Sequence, residues 1–352
     1  MPRTSSRPRL LLCLCLITTP TLGAETPMQS ADPPPQRTAR EDCLLHALHS
    51  ASDETSAASL RQRCDESGEA QAVTFGQPGS LVVERIRRER AVADNPSVLL
   101  AHRRNYLMPL TYASNPNTAP YAALGVDDDR GNLKHAEAQF QISLKAPLAE
   151  GLLSEHDALY AGFTARSFWQ VYNRDISAPF RETNYEPELF WITPVPWRIL
   201  GGDATALIVG FSHQSNGRSQ PFSRSWNRIY ANLIWERSRF VFSFKPWWRL
   251  PEDEKSDPSE ASGDDNPDIE DFMGNFEFNA VYRRHDHEYG LLLRNNLDSG
   301  DNRGAVQLEW TFPLHRRLRG YAQYFDGYGE SLIDYNTRIR RVGIGILLSD
   351  LF

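Results

Sequence analysis

The feature that most constrains the fold is a repeated alternation of apolar and polar residues, which begins near residue 101. Phe240, Phe242 and Phe244, for example, alternate with other residues so that all three fall on one face of an extended segment. A period of two is typical of β-strands with one apolar face. About twelve such segments occur, near 102–112, 136–146, 159–172, 184–197, 204–215, 226–236, 239–250, 272–282, 288–297, 303–313, 317–327 and 337–352.

An even number of strands, each with an apolar and a polar face, is how a membrane barrel appears in sequence. We therefore predict an all-β fold, a 12-stranded antiparallel transmembrane β-barrel with a small, partly helical N-terminal periplasmic extension. A soluble β-sandwich would also alternate, so alternation alone does not decide between the two. The mean hydropathy of −0.50 is compatible with a membrane barrel because only every second strand residue faces lipid.

Features at both ends of the chain favour the membrane. Residues 1–24 have an arginine-rich start, an apolar centre and small residues near Ala24, which predicts a secretory signal peptide. The chain ends in Phe352, which resembles the assembly signal of outer-membrane barrels. Tryptophans near strand ends are expected to form an interfacial belt. They are Trp169, Trp191, Trp197, Trp247 and Trp248.

The polar face of the strands indicates a filled interior. It carries Gln139, Gln141, Arg228, Tyr230, Asn232 and Lys245. Twelve strands enclose little space once such side chains fill it, so we expect a plugged barrel and not an open channel. Arg181 and Glu186 are candidates for a hydrogen-bond network there, or they line a loop. The net charge of −7 gives no sign of the basic surface that nucleic-acid binding requires, so nucleic acid is not an expected partner.

We divide the chain into a signal peptide (1–24), an N-terminal extension with linker and short helices (25–97), and the barrel (98–352). Cys43 and Cys64 are the only cysteines after the signal peptide. An even pair in an exported protein suggests a disulfide. Two free thiols, or a metal site with His46 or His49, are the alternatives. A further helical segment, LVVERIRRER, has no evident role.

A group of potentially catalytic residues lies between Ala204 and Arg228. If the two strands there pair as a hairpin, His213, Ser215 and Asn227 share one end of one apolar face. A serine needs a base to become a nucleophile, histidine titrates in the right range, and an asparagine carbonyl can orient the histidine. The alternative is that they are ordinary polar residues at a strand end.

Several motifs carry a resemblance to a known family. They are SHQSNGRSQPFSRSWNR at 212–228, SAPFRETNYEPELF at 177–190, DDNPDI at 264–269, GYGESLIDYN at 327–336 and the C-terminal RVGIGILLSDLF. Together they resemble the outer-membrane phospholipase A family of calcium-dependent lipases, over roughly 98–352. The resemblance implies a phospholipase A1/A2 of the bacterial outer membrane. Such an enzyme hydrolyses the sn-1 and sn-2 acyl esters of glycerophospholipids and lysophospholipids, and is active as a homodimer.

The resemblance also implies the site residues. Ser215, His213 and Asn227 would be catalytic, and Gly217 would contribute to the oxyanion site. The Ca²⁺ ligands would be the Arg218 carbonyl, the Ser223 hydroxyl, Asp265, and the carbonyl at Ser177 of a second subunit. The chain departs from the family at Gln220, where an aspartate is frequent, and at Ala165, where a glutamine serves the dimer contact.

Two other functions remain open at this stage, a non-catalytic porin-like channel and a structural barrel or adhesin. A channel needs a wide lumen, and neither function needs serine, histidine and asparagine together on the lipid-facing side. A histidine pair, His285 and His287, could bind a metal or form a short polar turn.

Overall fold

The structure, a computed structural model, describes residues 39–50, 56–61, 64, 80–92, 98–122, 133–154, 156–257, 259–260, 262–315 and 318–350. The chain divides into two compact units, residues 1–69 and 70–352. In the first unit, Ala39–Ser50 is helical and so are residues 57–61. A disulfide joins Cys43 and Cys64, whose Cα atoms lie 5.7 Å apart, which confirms the predicted pairing.

The second unit is a closed antiparallel barrel. Its twelve long strands in the described part of the chain are β1 Asn105–Ala113, β2 Ala136–Glu150, β3 Ala158–Trp169, β4 Phe180–Thr193, β5 Gly202–Ser215, β6 Ser225–Arg237, β7 Phe240–Arg249, β8 Phe276–Arg284, β9 His287–Asn295, β10 Gly304–His315, β11 Leu318–Gly327 and β12 Ile339–Ser349. Each pairs with its sequence neighbours, and β1 pairs with β12 to close the sheet. Closure removes unpaired sheet edges, which satisfies the backbone in a lipid solvent.

Shorter elements lie at the strand ends. Two-residue strands at Leu100–Ala101 and Arg198–Ile199 pair with β2 and β5. Helices span Ala119–Ala122 and Ile269–Met273, and a 3₁₀ turn spans Arg174–Ile176. Among the described residues, no helix is both long and apolar enough to cross a membrane.

The predicted alternation places apolar residues outside and polar residues inside. On β5, Val209 and Phe211 are 41% and 39% exposed, whereas Ser212 between Phe211 and His213 is fully buried. On β7 the even positions face outward, so Trp248 is exposed and Trp247 is buried in the lumen against Trp226. The prediction that both tryptophans belong to an interfacial belt is therefore wrong for Trp247. Adjacent strand residues point to opposite faces, so only one of the two can reach lipid.

The interior is filled by ion pairs, as predicted. Arg181 contacts Glu137 at 3.1 Å and Asp334 at 2.7 Å, and all three side chains are buried. Glu186 accepts from Arg103 at 2.8 Å and from Arg228 at 2.9 Å. Both predicted members of the internal network are confirmed. Buried charges of this kind are tolerated because each is paired.

A helix, Leu81–Arg90, lines the lumen near one end of the barrel, and we call it the plug helix. Its Val82 packs with Val241 and Val281 of the barrel wall. The Glu236 carboxylate at the end of β6 accepts from the backbone N–H groups of Leu81 and Val82, at 2.9 and 3.2 Å. An anion at a helix N-terminus is stabilised by the unpaired N–H groups and the helix dipole.

The far end of the plug helix is also held. Glu89 pairs with Lys145 of β2 at 2.7 Å, and Arg85 donates to the carbonyl oxygens of Ala101 and His102. Burial raises the pKa of Glu89, but Lys145 and Arg85 outweigh it and hold that pKa below its ordinary value. The plug helix thus belongs with the barrel, while the division of the chain at residue 98 stays a prediction. The expected signal peptide and Phe352 lie outside the described residues.

Candidate active site

The hairpin of β5 and β6 positions the predicted catalytic residues. In its register His213 lies opposite Asn227, and Ser215 lies opposite Ser225. His213 and Ser215 follow Val209 and Phe211 on the outward face, two residues apart. The sequence-based expectation that the three residues share one end of the lipid-facing side agrees with this placement.

His213 and Asn227 are in direct contact. The Nδ1 of His213 lies 2.9 Å from the Oδ1 of Asn227. An amide oxygen can only accept a hydrogen bond, so Nδ1 carries the proton and Nε2 is left as the basic nitrogen. Both side chains are half-buried, and strand alternation places the pair on the outward face and not in the lumen.

The side chain of Asn216 holds the turn after Ser215 together from inside. The buried Asn216 accepts from the backbone N–H of Arg224 at 3.1 Å and of Arg218 at 3.3 Å, and it donates to the Phe222 carbonyl at 2.8 Å. Gly217 follows it with φ of +62°, a conformation that disfavours any residue with a side chain. Gly217 is exposed next to Ser215, so its backbone can approach a substrate closely.

Two of the predicted calcium ligands touch each other. The Ser223 hydroxyl donates to Asp265 at 2.5 Å, and Gln220 donates to the other oxygen of the same carboxylate at 2.6 Å. The ammonium of Lys255 also contacts this carboxylate. Burial raises the pKa of Asp265, but the bonds from Lys255, Ser223 and Gln220 outweigh it and keep that pKa below its ordinary value. Asp265 therefore stays ionised, and the Lys255 ammonium lies beside it.

These groups fit a hard cation. Ca²⁺ takes oxygen ligands from carboxylates, hydroxyls and carbonyls, and the Lys255 ammonium already marks a position where positive charge is stabilised. In the described part of the chain, no three His, Cys, Asp or Glu side chains cluster in a way that could hold a metal. The expected ligand set contains one carboxylate, so it does not depend on such a cluster.

Of the two other expected ligands, Arg218 lies in the turn after β5 and Ser177 lies on the β3–β4 loop. Ser177 ends the Arg174–Ile176 turn with φ of +64°. Tyr185 of β4 pairs with Ser215 of β5, so this loop opens at the same end of the barrel as the catalytic turn. The expectation that the Ser177 carbonyl serves a second subunit stays a prediction.

Two residues at the site were missed by sequence reasoning. Lys255 contacts Asp265, and Glu252 accepts a hydrogen bond from the Nδ2 of Asn227 at 3.2 Å. Burial and the nearby Asp264 raise the pKa of Glu252. The only signal in the sequence is the charged run PEDEK before DDNPDI. Such a run usually forms a solvated loop, so it does not indicate which side chain folds back.

Comparisons with known proteins identify the family of the chain. A family model described as Phospholipase A1 matches residues 82–348. The chain belongs to the phospholipase A1 family. A phospholipase A1 of Klebsiella pneumoniae is 38% identical over 259 residues, which cover 74% of this chain and 85% of the relative. The family consists of ester hydrolases, and this member is accordingly an enzyme.

Solved phospholipase A barrels share the fold. An active-site mutant of outer membrane phospholipase A from Escherichia coli, in which an asparagine is replaced by alanine, matches with a TM-score of 0.68 and 36% identity. A Salmonella typhi outer membrane phospholipase dimer with bound calcium matches with a TM-score of 0.67 and 35% identity. Both comparisons cover 79% of this chain and all of the other chain. The predicted 12-stranded barrel and its place in the bacterial outer membrane are confirmed.

Proposed function

We propose that this member of the phospholipase A1 family is a calcium-dependent hydrolase of the sn-1 and sn-2 acyl esters of glycerophospholipids and lysophospholipids. The observation that carries the proposal is the 2.9 Å contact between His213 and Asn227 on the outward face, with Ser215 two residues away on the same face. A lipid can keep its acyl chain in the bilayer there while its ester reaches Ser215.

The proposed reaction is acyl transfer through Ser215. The Nε2 of His213 accepts the hydroxyl proton as the Ser215 oxygen attacks the ester carbonyl, and then returns it to the leaving alcohol. Water, activated by the same nitrogen, releases the fatty acid. Asn227 holds the imidazole in the tautomer that leaves Nε2 free, and accepts the Nδ1–H of the cation that forms.

The tetrahedral oxyanion needs hydrogen-bond donors and positive charge. The Gly217 backbone N–H is the proposed donor, because the exposed turn allows close approach. The Arg218 carbonyl, the Ser223 hydroxyl and Asp265 would hold Ca²⁺ next to this turn. When bound, the ion would add electrophilic stabilisation. The related Salmonella typhi dimer with bound calcium supports this assignment.

Homodimerisation is part of the proposal. Ile142, Ala165, Tyr185 and Ser215 follow one another across four strands on the outward face, and Ile142 and Tyr185 are exposed. A second barrel against this row would supply a wall for the acyl chain and the partner's Ser177 carbonyl. The departure at Ala165 removes a glutamine contact, which leaves this part of the row apolar.

The alternatives of a porin-like channel or a structural barrel have less support. Paired charges and the plug helix fill much of the lumen, and the cavity that remains is about 380 Å³. Neither alternative requires the His213–Asn227 contact on the outer surface.

Fatty-acid release from mixed micelles, with and without chelator, tests the proposal. The wild-type protein should release fatty acid only with calcium, and Ser215→Ala should release none while keeping the heat-sensitive gel migration of a folded barrel. The matched control is Ser225→Ala, which changes the residue paired with Ser215 in the hairpin. Retained turnover in folded Ser215→Ala would disprove the proposed nucleophile.

A further inference from the structure

The carboxylate of Glu252 lies directly behind the asparagine of the site. Asn227 donates from Nδ2 to the Oε1 of Glu252 at 3.2 Å, while its Oδ1 accepts from His213 at 2.9 Å. Glu252 stands three residues after the end of β7. The backbone N–H of Leu250 donates to the Asn227 carbonyl at 2.8 Å, so the segment that carries Glu252 is tied to the strand that carries Asn227.

We propose that Glu252 is a positioning residue for the catalytic reaction, which extends the series Ser215, His213 and Asn227 by a fourth member. The inference rests on the proposed function. Glu252 does not touch the reacting atoms, and it acts through the amide of Asn227.

The need for such a residue follows from the symmetry of the amide. The oxygen and nitrogen ends of an asparagine side chain have nearly the same shape, so packing alone does not fix which end faces His213. A carboxylate accepts hydrogen bonds and cannot donate when ionised, so Glu252 selects the nitrogen end. The oxygen end then faces His213, and Nδ1 of the histidine must carry the proton. A flipped amide would favour the opposite tautomer and protonate the catalytic nitrogen.

The charge of Glu252 has a second effect. A charged acceptor polarises the amide, which increases the negative partial charge on Oδ1, and hydrogen bonds in series strengthen one another in this way. The imidazolium that forms when His213 takes the serine proton is stabilised as a result.

The neighbouring charges leave Glu252 available for this role. Arg249, the closest cation in sequence, is held by Asp264 at 2.6 Å and by the Pro267 carbonyl at 3.1 Å. Lys255 is directed to Asp265 and to the Glu260 carbonyl. The hydrogen bond that the described structure shows on the Glu252 side chain is the one from Asn227.

The test compares Glu252→Ala and Glu252→Gln with the matched control Glu254→Gln, an exposed residue of the same loop. We expect Glu252→Ala to lower kcat about tenfold with KM unchanged, the scale of one hydrogen bond to a charged group. Glu252→Gln should lose less, because its carbonyl can still accept from Asn227. Reaction of Ser215 with a sulfonyl fluoride should slow in parallel, which reports activation of the nucleophile without lipid.

A double-mutant cycle with Asn227→Ala decides whether Glu252 acts through the asparagine. Adding Glu252→Ala to Asn227→Ala should cause no further loss of kcat. An equal tenfold loss in both backgrounds, or no loss in folded Glu252→Ala and Glu252→Gln, would overturn the inference. Ser215→Ala is measured alongside. If it is inactive while the Glu252 variants match wild type, only the role of Glu252 fails; if it is active, the proposed function fails.

Discussion

At the scale of single residues, the site depends on which atoms of His213 and Asn227 face each other. The contact from Nδ1 to the amide oxygen leaves one basic nitrogen for Ser215. Glu252 fixes the amide from behind, and Lys255 fills the position beside Asp265 that a metal ion would share. Each of these residues therefore fixes the position of a proton or a charge, and substitutions test these roles.

The three catalytic substitutions should differ in severity. Ser215→Ala and His213→Ala should each lower kcat by about 10⁴-fold or more, because each removes a group that the reaction cannot replace. Asn227→Ala should lose about ten- to a hundredfold less, because the base remains and only its orientation is lost. Rates of fatty-acid release from micelles, scaled to folded protein, check this order. An Asn227→Ala variant as inactive as His213→Ala would contradict it.

Lys255 should compete with calcium. Its ammonium contacts Asp265, so Lys255→Met should raise calcium affinity at least about tenfold by removing a nearby positive charge. Terbium luminescence titrated in micelles measures this affinity without activity. Lys255→Arg keeps the charge and is the control, with little change expected. Equal affinities for Lys255→Met and wild type would rule out the competition.

At the scale of elements, the plug helix is the least expected feature of the barrel. Its sequence, LVVERIRRER, has four arginines and a glutamate in its last six residues, and four of its ten residues are apolar. A polar helix of this kind suits the lumen, because Arg85 and Glu89 find partners on the wall. The helix is held by charges at both ends, so it can be loosened from either.

Loss of its N-terminal partner should loosen the plug helix. Glu236→Ala removes the carboxylate that accepts from Leu81 and Val82, at a cost of about 1–2 kcal/mol. Amide hydrogen exchange in residues 80–92 should then accelerate about tenfold or more, and ion conductance of the barrel in planar bilayers should rise. Glu84→Ala on the exposed side of the same helix is the control. Unchanged exchange in Glu236→Ala would show that the carboxylate does not anchor the helix.

Acid should loosen the same helix from its other end. The pKa of Glu89 is lower in the folded protein than its ordinary value of about 4.3. Its pairing therefore stabilises the helix above that value, and this stabilisation is lost as pH falls through the folded pKa. Exchange in residues 80–92, corrected for intrinsic rates, should accelerate below about pH 4 in wild type. Glu89→Gln should lack this step, and an identical pH profile for both proteins would contradict the role of Glu89.

At the scale of the whole molecule, an outward-facing site has no cleft wall of its own. A second barrel on the row from Ile142 to Ser215 would supply that wall, and the partner's Ser177 carbonyl would complete the metal site. Calcium binding and dimerisation should then be linked, each raising the affinity for the other by the same factor.

Asp265→Ala should therefore weaken calcium binding and dimer formation together, and Ser223→Ala should do so more mildly. The measurement is crosslinked dimer fraction and activity across a calcium titration in micelles. Asp257→Ala, which changes an exposed carboxylate of the same loop, is the control. Full activity in a strictly monomeric, calcium-free sample would exclude the linkage.

The sequence alone was sufficient for every feature that depends on local side-chain direction. Alternation along a strand fixes which residues share a face, so it predicted the twelve strands, the polar lumen with Arg181 and Glu186, and the shared outward face of His213 and Ser215. The outward face of Trp248 and the inward face of Trp247 follow from the same rule, which the belt prediction overlooked.

Only the tertiary structure decided the contacts between residues on separate elements. The path of one charged loop brings Glu252 to Asn227 and Lys255 to Asp265. Closure of the barrel forms the lumen that the plug helix enters. A charged run or a short polar helix has many solvated conformations of similar energy. Which one is adopted depends on partners that the fold supplies, and local sequence does not identify those partners.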